Sequence, residues 1–81
     1  MGRLRVMSRR GDSTVTWDDE KVAAGDPQAV AAVKEAERIF AEERARGGTA
    51  FKLRPGQTAQ RLDRFDKTAE QIVIVPRVAG G

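Results

Sequence analysis

The chain has 81 residues, 40% of them hydrophobic and 33% charged, with a net charge of +3 and a pI near 10.0. That length supports one domain around a single modest core, and the balance fits neither a membrane span nor a disordered segment. Cysteine, histidine and tyrosine are absent, which excludes disulfides, thiolate chemistry and imidazole ligands or bases. No apolar run is long enough for a bilayer and no signal-type segment follows Met1, so the chain reads as a cytoplasmic protein without a cofactor or bound metal.

Arg3 to Met7 alternates, with Leu4 and Val6 on one face, at the period of a half-buried strand. Ser13 to Trp17 alternates again, with Val15 and Trp17 facing one way and β-branched residues prominent. Gly11 and Asp12 supply turn chemistry between the two runs, predicting a β-hairpin. Arg10-Gly11-Asp12 spells an integrin-binding tripeptide, for which a hairpin loop is the simpler account. Asp18 to Gly25 reads as a connector with room for one helical turn. Its three adjacent carboxylates do not match a calcium loop and read as a solvated turn.

Asp26-Pro27 opens the clearest element, with Asp26 as N-cap and Pro27 at the first helical position. The helical pattern runs from Pro27 to Arg46. Ala29, Ala32, Val33, Ala36, Ile39 and Phe40 line one face, and Gly47-Gly48 ends it. The small alanines let it lie close against a sheet, and no other helix is expected to cover the strands. Thr49 to Arg54 predicts a third strand, with Phe51 assigned to the core alongside Phe40. Pro55-Gly56 marks a turn. Gln57 to Arg64 is polar and reads as surface with a short edge strand. Phe65 is expected to plug the core, and Asp66 to Glu70 to form a single turn capped by Asp66.

Ile72 to Val75 is a run of four β-branched residues with no polar face, suited to a strand flanked on both sides. Pro76 cannot donate to a sheet ladder, and Gly80-Gly81 carry no side chains. If Ile72 and Ile74 face the helix, Val73 and Val75 form a small apolar docking patch on the open side of the sheet, or the reverse.

The predicted order is hairpin, helix, strand, irregular stretch with an edge strand, final strand. Together with the diglycine end at Gly80-Gly81, it resembles the ubiquitin-like modifiers and sulfur-carrier proteins, bacterial ubiquitin-like proteins in particular. An arginine four residues before the last glycine, Arg77 here, matches ubiquitin. Val78 and Ala79 depart from its leucine and arginine, and the helix is longer. The resemblance implies an α+β, β-grasp fold with a mixed sheet of four to five strands and one long helix across one face. The final strand would lie in the middle of the sheet, parallel to the first. Residues 1–78 would form the domain and residues 79–81 a flexible tail.

By the same resemblance, an adenylating enzyme would activate the Gly81 carboxylate. The acyl group would pass to an enzyme cysteine and then to a target lysine as an isopeptide bond, or become a thiocarboxylate in the sulfur-carrier branch. Gly80 and Gly81 would enter the narrow activating channel, with Arg77, Val78 and Ala79 read by the activating enzyme. A conjugating enzyme and a JAB-type protease would be further partners. Catalysis by the chain itself is disfavoured, since no carboxylate or lysine pair sits in a recognisable motif. A competing reading is a small adaptor that binds protein or nucleic acid through its folded surface, motivated by eleven arginines among the fifteen basic residues. Nucleic acid ranks low in it, because few aromatic rings are left for base stacking.

Overall fold

The computed structural model describes residues 1–7 and 13–77. Its elements are β1 (Gly2–Val6), β2 (Ser13–Trp17), α1 (Asp19–Ala23), α2 (Pro27–Ala45), β3 (Thr49–Leu53), β4 (Gln60–Leu62) and β5 (Gln71–Val75). The hairpin loop, with Arg10-Gly11-Asp12, lies outside the described residues.

The five strands form one mixed sheet in the order β2-β1-β5-β3-β4. β1 pairs antiparallel with β2 and parallel with β5, with Leu4 opposite Ile72 and Val6 opposite Ile74. β5 pairs antiparallel with β3, placing Ile74 opposite Ala50, and β3 pairs antiparallel with β4. The last strand is therefore central, as expected of a run with no polar face, and it runs parallel to the first.

α2 lies across one face of this sheet. Its stripe of Ala29, Val33, Ala36 and Phe40 is buried, with Ala32 and Ile39 at the margins. Opposite it, Leu4, Ile72, Ile74 and Ala50 are fully inaccessible. Burying each large aliphatic side chain contributes about 1.5–3 kcal/mol. Small residues on both sides, Ala36 and Ala50, let the helix approach the sheet closely. Asp26 Oδ2 accepts from the Ala29 amide at 3.0 Å and caps the helix start.

Phe65 closes the end of the core. It packs against Trp17 and Phe40 with ring centroids 5.7 and 5.9 Å apart, both tilted toward edge-on geometry. Trp17 is anchored as well, since its indole Nε1 donates to the Lys67 carbonyl at 3.2 Å. The turn that supplies this carbonyl is capped by Asp66, whose carboxylate accepts from the Thr68 amide at 2.9 Å and from the Thr68 hydroxyl at 2.6 Å.

One expectation is met and one needs correction. The connector forms the single helical turn it had room for, α1, which packs beside α2. Asp18 belongs to it as N-cap, accepting from the Glu20 amide at 2.9 Å, so one of the three adjacent carboxylates is consumed by capping. Phe51 is not core. Strand alternation places Ala50 beneath α2 and sends Phe51, half-buried, to the opposite face beside Val73. No helix among the described residues is long and apolar enough to cross a membrane.

Candidate functional site

The described site residues, Val73, Val75 and Arg77, fall in two places, at the exit of β5 and on the face of the sheet away from α2. Val75 ends β5 opposite Thr49, just after α2 has turned into β3. That turn is a tight helix stop. The Gly48 amide donates to the Glu43 carbonyl at 2.8 Å and the Gly47 amide to the Arg44 carbonyl at 3.0 Å, with Gly47 at φ +91°. This pair of bonds satisfies helix carbonyls that have no partner within the helix, and the left-handed residue between them favours glycine. Gly48 is buried, and a Cβ there would meet the Glu43 carbonyl oxygen at 2.8 Å and that of Val75 at 3.4 Å. The end of β5 and the end of α2 are thus packed backbone to backbone.

Arg77 uses this arrangement. Its stem passes over Gly47, so that a Cβ on that glycine would lie 3.0 Å from Arg77 Cδ and 3.7 Å from Nη1. The guanidinium sits by the C-terminal turn of α2, where the unpaired carbonyls of a helix favour a cation. Arg77 remains exposed and forms no ion pair among the described residues. The bare Gly47 surface as a bed for Arg77 was not anticipated from sequence, because the two are thirty positions apart. Val78, Ala79, Gly80 and Gly81 lie outside the described residues.

Of the two alternatives for β5, the first holds: Ile72 and Ile74 face α2, and Val73 and Val75 lie on the open face. Val75 is 42% exposed and Val73 half-buried. Phe51, opposite Val73 on β3, and Met7, 44% exposed just past β1, extend the patch. Met7 is tied to β5 by its amide, which donates to the Ile74 carbonyl at 3.0 Å. The sequence signal for Met7 is its parity with Arg3 and Arg5, opposite to buried Leu4 and Val6.

Charge divides between the two faces. Arg3 and Arg5 of β1 and Arg61 of β4 stand on the open side, and no carboxylate stands at the described open-face positions of the strands. The acidic residues concentrate on the helix side. There Arg38 is clamped between Glu35 and Glu42, which raises the guanidinium pKa further, while its hydrogen bond lowers that of Glu35. Lys52, also on the helix side, reaches Asp66 at 3.5 Å. Hydrogen bonds from Thr68, with help from Lys52, hold the Asp66 carboxyl below its ordinary range. Among the described residues no acidic cluster is arranged to hold a metal ion.

Comparison with protein-family models, with curated proteins and with solved structures gave no match to this chain.

Proposed function

We propose that this chain is a β-grasp protein of the ubiquitin-like type, a modifier whose Gly81 carboxylate is activated by an adenylating enzyme and joined to amines of target proteins. The observation that carries the reading is the seat of β5. It is hydrogen-bonded on both edges, to β1 and to β3, in the sheet order β2-β1-β5-β3-β4, and it leads directly toward the diglycine. A strand held on both sides gives the following residues a fixed root. Residues without a β-carbon then suit a narrow active-site channel of another protein.

Activation proceeds in steps set by carboxylate chemistry. The Gly81 carboxylate attacks the α-phosphorus of ATP and pyrophosphate leaves. An enzyme thiolate displaces AMP, and a target amine displaces the thiolate. Arg77 supports recognition: exposed, without an ionic partner among the described residues and braced on Gly47, it offers a pre-positioned guanidinium to a carboxylate on the activating enzyme. In the sulfur-carrier variant of this reading, sulfide-level sulfur from a donor protein attacks the adenylate carbonyl and AMP leaves, giving a thiocarboxylate.

The test is incubation with ATP and the adenylating enzyme encoded nearest the gene, followed by mass spectrometry for the acyl-adenylate, the thiocarboxylate and Gly81–lysine isopeptides. Intact mass of the protein from its host establishes whether Gly81 is terminal. Deleting Gly80 and Gly81 should abolish every product, and full activity of that variant would end the proposal. A second reading, an adaptor that is never conjugated, is favoured by the Met7–Val75–Val73–Phe51 patch. It predicts partner binding that survives the deletion and is lost on Val75→Asp.

A further inference from the structure

The open face has a second feature, at the end of β5 opposite to Arg77. A trough of about 570 Å³ lies there, crossing the row in which Thr16 faces Arg3, Arg3 faces Gln71 and Gln71 faces Leu53. Gln71 lies four steps along β5 from Val75, a distance of about 13 Å. Arg3, Arg54 and Glu70 line it, and Leu53 and Pro55 supply apolar surface. Both arginines are exposed, and neither forms an ion pair or a side-chain hydrogen bond among the described residues. Arg61 lies on the same face two strands over, opposite Phe51.

We infer that this trough docks an extended acidic segment of a partner protein, with its carboxylates on Arg3 and Arg54 and an apolar side chain on Leu53. Three observations select that occupant. The guanidiniums are unsatisfied within the described fold and planar, so they pair with carboxylates through two parallel bonds. The lining mixes aliphatic Leu53 and Pro55 with polar Thr16 and Gln71, which suits an extended peptide with an apolar side chain rather than a base. A nucleic-acid strand needs successive aromatic platforms, and Phe51 is the sole aromatic residue at the described open-face positions. The site does not use Gly81, so it stands or falls separately from the modifier reading.

The experiment titrates the full chain, and separately the variant lacking Gly80 and Gly81, with a fluorescein-labelled glutamate-rich decapeptide that has a central leucine pair. The lysine-for-glutamate peptide and single-stranded oligo-dT are run beside it. Expected are saturable binding of the acidic peptide to both proteins, weakening with added salt, and amide shifts in NMR at Arg3, Leu53, Arg54 and Gln71. The double variant Arg3→Glu/Arg54→Glu should bind roughly tenfold more weakly, with Trp17 fluorescence unchanged as the check of folding, and Arg54→Lys should retain part of the affinity. Undiminished binding by the double variant, shifts confined to Met7 and Val75, or binding of oligo-dT in place of the peptide would each overturn the inference.

Discussion

Gly2→Ala should destabilise the fold although it adds a single methyl group. Gly2 pairs with Trp17 across β1 and β2, and the indole occupies the space where a Cβ would stand. That Cβ would lie 2.1 Å from Trp17 Cε2, 2.3 Å from Nε1 and 2.4 Å from Cζ2. The first falls about 1.4 Å short of ordinary carbon–carbon contact, which begins near 3.5 Å. The ring has little room to retreat. It is 3% exposed, bonded to the Lys67 carbonyl and packed on Phe65. Either the start of β1 peels away or the indole shifts with its partners, and overpacking of this kind costs about 1–3 kcal/mol. Urea denaturation followed by the fluorescence of the single tryptophan measures it directly. In a double-mutant cycle with Trp17→Leu, followed by far-UV circular dichroism because that background holds no tryptophan, the smaller side chain should relieve the clash, so that Gly2→Ala becomes nearly neutral. A Gly2→Ala protein within 0.5 kcal/mol of the parent, or an unchanged penalty beside Leu, would refute the steric account.

Ile74→Ala removes a fully inaccessible side chain between β1 and β3 and should lower stability by about 2–5 kcal/mol, a large share of what a domain this size possesses. A loss under 1 kcal/mol in the same titration would contradict a central β5. For Asp66, the folded-state pKa lies below its ordinary value of 3.8, chiefly through the Thr68 hydroxyl. Its stabilisation is therefore complete above that value and is lost as pH falls through the lower folded pKa. Asp66→Asn should be less stable than the parent by about 1 kcal/mol near neutrality, and thermal melts of the two should converge only below about pH 4; a gap independent of pH would contradict this.

Where local chemistry decided the outcome, the residues announced it. Asp26, Pro27 and Gly47 bound α2 at the expected ends, and the Ile72–Val75 run marked an interior strand. The errors arose where partners distant in sequence decide. Phe51 is larger and more apolar than Ala50, so hydrophobicity alone sends it inward. The sheet does the reverse, because only a small residue fits under α2 at that point while Lys52, on the same side, reaches out to Asp66. α1 was legible only as room for one helical turn, because its brevity and acidic start read equally as a solvated turn. The role of Gly2 is invisible until Trp17 is placed opposite it. Which of Val73 or Ile74 faces outward depends on the phase of the sheet against the helix, and nothing within the run itself sets that phase.

The pairing of β1 with β5 joins segments from opposite ends of the described chain, and this has a bearing on synthesis. On the ribosome, β1 and β2 are made early, yet the partner that completes the inner edge of β1 is the last of the described strands to emerge. α2 meanwhile carries an apolar stripe with only half a platform to cover it. The nascent polypeptide thus remains open, and dependent on whatever shields hydrophobic surface in the cell, until residues 71–75 clear the exit tunnel. Premature termination anywhere before them would release a fragment fit for degradation and not a smaller working protein.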